Sequence, residues 1–295
     1  MMTIHASAQQ TATSSSIASV REHAPTELVI DGSVHWSRWW ADLYEYRGAL
    51  QSLMWRNLRS RYKQAALGAL WALLQPALQV GVFTLLFGIL ARVPAGDLPY
   101  PLFALAGLLP WNLFSKIISE GATSLVVNQA LITKLFFPRI YLVVAVGASA
   151  LLDAAVTLLL LLALMIHYGV WPGARILIAL PALGGVLVLS YGVAAFLAAL
   201  NARWRDVQHT VPFLLQLGLF ATPIIYYTSL VPARWRWLLA LNPLTGLVEG
   251  FRGAVLGLAW PEPHLLLLSL ASSAFAIAFG FWRFTRAEST VVDIA

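Results

Sequence analysis

The sequence predicts an all-α integral membrane protein with six transmembrane helices, an N-terminal amphipathic interfacial helix and a re-entrant helical hairpin between spans 5 and 6. Composition points to this class. Hydrophobic residues make up 59% of the 295 residues and charged residues only 11%, whereas soluble domains are about one-quarter charged. The mean hydropathy is +0.75. A chain of this kind buries its apolar surface in lipid rather than in one large core.

Six apolar runs are long enough to cross the hydrocarbon core of a bilayer, which takes about 20 helical residues. Turn-forming and interfacial residues separate them. The second run is the least apolar because it contains Lys116 and Glu120. The predicted spans are 68–90, 101–127, 140–166, 176–200, 210–230 and 264–284.

Lysine and arginine are distributed unevenly around these runs. If the N-terminus is inside, seven precede residue 68 and six lie in the other cytoplasmic parts, against five outside. Cytoplasmic segments carry the excess of positive charge, so both termini are expected inside. The predicted organisation is a disordered tail 1–30, a cytoplasmic and interfacial region 31–67, a six-span transmembrane domain 68–286 and a cytoplasmic tail 287–295.

Between Asp42 and Lys63, apolar side chains recur every three or four residues. This stripe comprises Leu43, Tyr46, Leu50, Met54, Leu58 and Tyr62. The basic side chains lie largely off it, and they are Arg47, Arg56, Arg59 and Lys63. The pattern predicts a basic amphipathic helix in the cytoplasmic membrane interface. A solvated cytosolic helix packed on a partner is the alternative.

The stretch from Pro232 to Pro263 contains two short apolar pieces, 234–241 and 244–258, separated by Asn242-Pro243. Proline cannot continue the first helix but suits the first turn of the second. Each piece is too short or too rich in glycine for a span. The pattern predicts a re-entrant hairpin that enters from the outer face at the mouth of a pathway. A pair of helices lying on the surface is the alternative.

The connection between the second and third runs is unusually apolar. It runs from Asn128 to Arg139, and a simple loop has no reason to present such side chains to the cytosol. Exposed apolar clusters mark contact sites. This segment is therefore predicted to offer a short helix to a soluble partner through Leu131, Ile132, Lys134, Leu135, Phe136, Phe137 and Arg139.

A few polar residues lie inside the runs. Lys116 and Glu120 are four residues apart on one helix face, where they can pair, and Asn112 extends that face. This stripe predicts a subunit interface or a pathway, unless it only solvates the cytoplasmic end of the span. Asp153 in the third run is expected to be an isolated hydrogen-bond acceptor rather than a proton relay.

Aromatic residues are frequent at the ends of the runs, where interfacial belts explain most of the tryptophans. Others are candidates for a channel wall, because aromatic rings suit the apolar faces of sugars. These candidates are Phe83, Phe87, Trp111, Phe114, Phe220, Tyr226 and Tyr227.

The sequence predicts no catalytic, metal or cofactor site in this chain. It contains no cysteine, no H-E-x-x-H spacing and no Gly-Lys pair, which excludes a P-loop. No paired carboxylates suggest phosphoryl or glycosyl transfer. Energy for any transport must come from a partner or an ion gradient.

Several stretches, in order, resemble the ABC-2 family of bacterial polysaccharide export permeases, most closely the O-antigen (lipopolysaccharide) exporters. The resemblance covers roughly 45–285. It is carried by 61–64 and 67–76, by 99–103 and 107–111, and by 131–139, 201–207 and 242–252.

This resemblance implies a permease of the bacterial inner membrane that works as a homodimer with two copies of a separate ATP-binding cassette subunit, which binds the ATP and Mg²⁺. The loop 128–139 would then be the coupling helix, and 42–63 would frame the cytoplasmic entrance. The cargo would be a polysaccharide linked to undecaprenyl diphosphate. Lys116 and Glu120 depart from the family, where uncharged residues are commoner.

Other functions fit the same sequence. A capsule or teichoic acid exporter is a close relative, and a drug-type ABC-2 permease would share the spans without a wide channel. From another class, an intramembrane glycosyl or phosphoglycosyl transferase would act on a polyprenyl-linked sugar without any ATPase.

Overall fold

The computed structural model describes residues 43–62, 70–171 and 173–294, which form helices joined by short loops without a β-strand. The predicted tail 1–30, Lys63 and Ala295 lie outside these residues. The helices are α1 Arg47–Tyr62, α2 Leu70–Phe83, α3 Tyr100–Val127, α4 Gln129–Ile132, α5 Ile140–His167, α6 Ala179–Arg203, α7 Val207–Ala221, α8 Ala233–Leu241, α9 Thr245–Leu256 and α10 Pro263–Ile294. A π-helical segment, Thr84–Leu90, continues α2, and 3-10 turns lie at Ala174–Ile178 and Thr228–Leu230.

Five helical segments of the described chain are long and apolar enough to cross a membrane. They match the first four predicted spans and the last one within three residues. Their bounds are Leu70–Leu90, Tyr100–Val127, Ile140–His167, Ala174–Arg203 and Pro263–Ala287.

The predicted fifth span, 210–230, is not one continuous helix. Helix α7 has 15 residues and is roughly 22 Å long, less than the ~30 Å hydrocarbon core. It ends before Pro223, because a proline disfavours helical backbone at the residue before it. Thr222 is accordingly extended, with φ −98° and ψ 139°. The chain from 222 to 230 is irregular apart from its 3-10 turn.

Helix α3 is the centre of the bundle. In its most apolar stretch 72% of the residues are buried, compared with 11% to 28% in the other four spans. It packs against α5, α6, α7 and α9. Leu102 and Phe103, near its start, have no exposed surface. The span with the lowest hydropathy is therefore the one that the other helices enclose.

Small residues allow the central helices to approach closely. A Cβ atom at Gly280 in α10 would overlap the backbone oxygen of Gly192 in α6. A Cβ atom at Gly121 in α3 would lie 2.9 Å from Cβ of Ala194 in α6. Such seams are typical of membrane helices, which associate through close packing rather than through the hydrophobic effect.

Helix α1 packs its apolar stripe against α5. Leu53 is buried, and Leu43, Tyr46, Leu50 and Met54 pack against the same core. The Tyr141 hydroxyl of α5 donates a hydrogen bond to the Leu43 carbonyl. The basic side chains Arg47, Arg56 and Arg59 are exposed. The predicted division into an apolar and a basic face is present, while the location of α1 in the membrane interface stays a prediction.

The two short helices predicted from residue 232 onward are α8 and α9. All of α9 except the half-buried Glu249 is buried, whereas α8 is mostly exposed. Helix α9 is therefore enclosed by the rest of the protein, while its entry into the membrane as part of a re-entrant hairpin stays a prediction. Gly257 ends α9 in the left-handed conformation, with φ +70°, which glycine adopts without a steric penalty.

We expect Gly280→Ala to destabilise the bundle. Alanine is normally better than glycine in a helix by about 1 kcal/mol, but the overlap with Gly192 costs roughly 1–3 kcal/mol and reverses the sign. Thermal unfolding of the protein in detergent measures the effect. Gly184→Ala is the matched control, because its Cβ meets nothing within 4 Å. A Gly280→Ala protein at least as stable as wild type would contradict the close seam.

Candidate functional site

The connection after α3 presents an apolar surface to solvent. Phe136 is 75% exposed, Lys134 and Leu135 directly before it are exposed, and so is Val127 at the end of α3. These four residues are named the loop surface. The single turn of α4 lies between Val127 and Lys134, and backbone hydrogen bonds from Lys134 and Leu135 to Leu131 continue the turn.

The structure corrects the sequence-based assignment of this segment at Phe137. Its side chain is only 8% exposed and belongs to the core, on the opposite side of the chain from Phe136. Leu131 and Ile132 also pack partly against the core, and Arg139 is half-buried. The sequence shows two adjacent phenylalanines but not which one the turn directs inward.

Helix α1 adjoins the loop surface. The rings of Tyr46 and Phe136 meet edge to face with centroids 6.0 Å apart. The Arg56 guanidinium donates a hydrogen bond of 2.6 Å to the Asn128 side chain. An apolar ring and basic side chains from two distant parts of the sequence thus form one surface. Apolar surface with a basic rim suits a protein partner.

A polar cavity of about 440 Å³ lies between α2, α3, α5 and α7. At its wall, Lys116 Nζ is 2.5 Å from Asp153 Oδ2 and 3.9 Å from Glu120 Oε1. Other polar side chains also line it, and they are Gln75, Asn112, Ser115, Ser119 and Thr157. The cavity is within the size range of small-molecule sites and holds water-sized groups easily.

The contact between Lys116 and Asp153 corrects one expectation. Asp153 is not isolated, because it takes Lys116 as its partner across the α3–α5 contact. The predicted pair of Lys116 and Glu120 is also present, as a longer contact of 3.9 Å. Asn112 donates a hydrogen bond to Gln79 of α2. The sequence does show two opposite charges in consecutive spans. It does not show that they face each other, because that depends on how the two helices are rotated.

The aromatic channel candidates do not form one wall within the chain. Trp111 is buried against Gly218 of α7, so it fills a helix contact instead of lining an open surface. The Tyr227 ring packs 4.4 Å from Phe103, and its hydroxyl donates to the Ala95 carbonyl. Phe220 is exposed. The remaining candidates, Phe83, Phe87, Phe114 and Tyr226, are half-buried.

Arg252 of α9 is a structural anchor, although it is one of the five arginines that the charge distribution assigns to the outside. It is 2% exposed, and its guanidinium donates hydrogen bonds of 2.9 and 2.6 Å to the carbonyls of Pro223 and Ile224. It also lies 4.0 Å from the centroid of the Phe103 ring. A Cβ atom at Gly107 would overlap the guanidinium. One side chain therefore joins α9, α3 and the irregular chain after α7.

The neighbouring Glu249 fixes the other end of that irregular segment. Its carboxylate accepts hydrogen bonds from the Thr228 hydroxyl and from the Thr228 backbone N–H. The segment 222–230 leaves carbonyls and N–H groups without helical partners, and α9 satisfies several of them. Non-helical backbone at membrane depth is tolerated where protein groups satisfy it in this way.

Five apolar spans, one of which is the buried central helix α3, define a multi-pass integral membrane protein. The family model for ABC-2 type transporters matches residues 48–256. This chain therefore belongs to the ABC-2 type transporter family.

Its relatives include permeases named for polysaccharide transport. The chain is 34% identical to an O-antigen export system permease protein RfbA of Myxococcus xanthus, over 79% of this chain and 89% of the relative. It is 27% identical to an RfbA of Klebsiella pneumoniae over 67% and 76% of the two chains. It is 26% identical to the polysialic acid transport protein KpsM of Escherichia coli over 70% and 81%.

Replacing Arg252 by leucine should destabilise the fold by about 2–4 kcal/mol, because two buried carbonyls lose a charged donor and Phe103 loses its cation. Denaturation of the purified variants in detergent gives the comparison. Arg234→Leu is the control, since Arg234 is exposed and only stacks near Trp235. Equal losses in the two variants would show that Arg252 anchors nothing in particular.

Proposed function

We propose that this chain is the permease subunit of an ATP-driven polysaccharide exporter in the bacterial inner membrane. The observation that carries the proposal is the family match together with relatives that are named for O-antigen export and polysialic acid transport. The chain itself has no Gly-Lys pair for a P-loop. ATP and Mg²⁺ are therefore bound by a separate subunit, and this chain is a transport subunit rather than an enzyme.

The pathway lies between two copies of the chain. Helices α2 and α7 form the edge of the bundle, and each exposes a continuous apolar face. These faces include Leu78, Val82, Leu85 and Leu86 on one helix and Phe213, Leu214, Leu217 and Phe220 on the other. A closed two-fold dimer places the same faces of both copies opposite each other. A hydrated polymer then passes between walls that bind it weakly.

The polar cavity adjoins this pathway. Both edge helices contribute to its lining, with Gln75 from α2 and Pro212 from α7. A hydrated sugar chain crosses a bilayer only where polar groups or water accompany it. Lys116 and Asp153 would keep such a polar surface next to the apolar helices.

A sixth crossing is completed by α7 together with the irregular segment after it. An even number of crossings keeps both termini on the cytoplasmic side, as the lysine and arginine distribution favours. The helices α8 and α9 then form a re-entrant hairpin from the outer face. The burial of α9 and the anchoring of 222–230 by Arg252 support this arrangement.

The loop surface docks on the ATPase subunit. Phe136 would enter an apolar cleft of that subunit, with Lys134 and Arg56 at the polar rim. Two copies of this chain would bind two copies of the ATPase, so that each nucleotide cycle acts on α3 and α5 through the connection between them.

The cargo is proposed to be a polysaccharide on undecaprenyl diphosphate, by analogy with the exporters of O-antigen. Capsule and teichoic acid polymers are the nearest alternatives. Export of small drugs without surface polymer would favour a drug-type permease. Turnover of a polyprenyl-linked sugar by the purified chain alone would favour a transferase.

Cross-linking with an export readout tests the proposed pathway and function together. In cells whose native gene is replaced by the variant, Leu86→Cys and Leu217→Cys should form dimers with a short bifunctional thiol reagent and then lose surface polymer. The chain has no native cysteine, so labelling is specific. Leu159→Cys, exposed on α5, should stay monomeric. Unchanged surface polymer after deletion of the gene would contradict the function, and dimers only through Leu159→Cys would contradict the pathway.

The coupling proposal predicts that the Phe136→Asp variant folds normally but loses transport. Burying a phenylalanine contributes about 1.5–3 kcal/mol, so a carboxylate there should weaken ATPase binding by at least tenfold. Co-purification from membranes measures binding, and surface polymer measures transport. Phe136→Leu keeps an apolar side chain and should retain both. Wild-type binding and export by Phe136→Asp would exclude the loop surface as the docking site.

Cysteine accessibility measures the proposed orientation. Arg205→Cys, exposed in the α6–α7 connection, should react with an impermeant maleimide only after the membrane is opened. Asp97→Cys, exposed before α3, should react in intact cells whose outer membrane is permeable to the reagent. The reverse pattern would place both termini and the loop surface on the outer side of the membrane, where the loop surface could not bind a cytoplasmic ATPase.

A further inference from the structure

The outer face of α10 carries a line of aromatic side chains that ends in basic residues. Phe275, Phe279, Trp282 and Arg286 follow one another at steps of four, three and four residues, so they share one helix face. All four are exposed, Phe275 by 70%. This face contributes neither to the family assignment nor to the proposed transport pathway.

The aromatic rings form an ordered ladder. The Phe275 and Phe279 rings are stacked at 5.8 Å with an angle of 15° between their planes. Trp282 follows, 5.9 Å from Phe279. Phe196 of α6 supports the ladder from the side, 5.5 Å from Phe279. A flat apolar strip of this kind fits an extended acyl chain.

Two guanidinium groups gather at the end of the ladder. Arg286 lies 4.4 Å and Arg283 6.0 Å from the centroid of the Trp282 ring. None of the described carboxylates forms an ion pair with either arginine. Both guanidinium groups thus lie within 6.0 Å of one indole ring, and a phosphate group bound at this end of the ladder would satisfy both.

We propose that this face of α10 is a binding site for an anionic phospholipid, with one acyl chain along Phe275 and Phe279 and the phosphate held by Arg283 and Arg286. In a bilayer, the acyl chains of a lipid lie deeper than its phosphate group. The site has the same order, because its apolar contacts lie toward the middle of the span and its cations near the end. The helix seam at Gly192 and Gly280 lies beside the ladder, so the bound lipid would brace the α6–α10 contact. The proposed site depends neither on the orientation of the chain in the membrane nor on the transported cargo.

Native mass spectrometry of the full chain, released from nanodiscs of equal parts phosphatidylglycerol and phosphatidylcholine, tests the site. Wild type should retain phosphatidylglycerol in preference. The double variant Arg283→Gln/Arg286→Gln should lose affinity by about 25-fold, since each basic residue near a membrane surface contributes about a fivefold effect. Phe275→Ala/Phe279→Ala should weaken retention of both lipids without abolishing the preference for the anionic one.

Arg234→Gln is the matched control, because Arg234 stacks 5.7 Å from Trp235 but no phenylalanine ladder follows it. It should retain the lipid as wild type does. Unchanged retention by the double arginine variant would overturn the proposal. If undecaprenyl diphosphate added to the same nanodiscs displaces phosphatidylglycerol from the arginines, the phospholipid assignment is wrong and the site belongs to a carrier lipid.

Discussion

Lys116 makes the central helix of this protein dependent on its neighbours. An ammonium group inside a span is costly in lipid, and it is tolerated when a carboxylate lies beside it and other helices cover it. Asp153 of α5 supplies the carboxylate at 2.5 Å. The surrounding helices then cover α3, which is the least apolar span and also the most buried. Helices α5, α6, α7 and α9 pack around this one helix.

Enclosing α3 leaves other helices exposed. Only 11% of the α2 span is buried, and Val211 is the one buried residue of α7. These two helices also border the polar cavity next to Lys116. A bundle with a satisfied centre and two bare edge helices is suited to pairing with a second copy. The proposed pathway between copies would place these two helices and the polar cavity side by side.

Much of this architecture could be predicted from the sequence. Apolar length located five spans, and the alternation of apolar and basic residues located the two faces of α1. The pattern at Asn242-Pro243 separated α8 from α9. Hydropathy could not show that α7 ends at Ala221, because apolar residues follow it and only the geometry imposed by Pro223 stops the helix. The inward turn of Phe137, the pairing of Asp153 and the burial of Arg252 depend on helix rotations, which local sequence does not encode.

The central claim is that two copies meet through α2 and α7, with the polar cavity between the charged centre and the shared pathway. The most direct measurement is an electron cryo-microscopy structure of the full chain with its ATPase subunit in nanodiscs. The account predicts that α2 and α7 of both copies face one another and that Lys116 and Asp153 remain paired beside the pathway. A dimer that meets through α5 or α10, with α2 and α7 facing lipid, would contradict it.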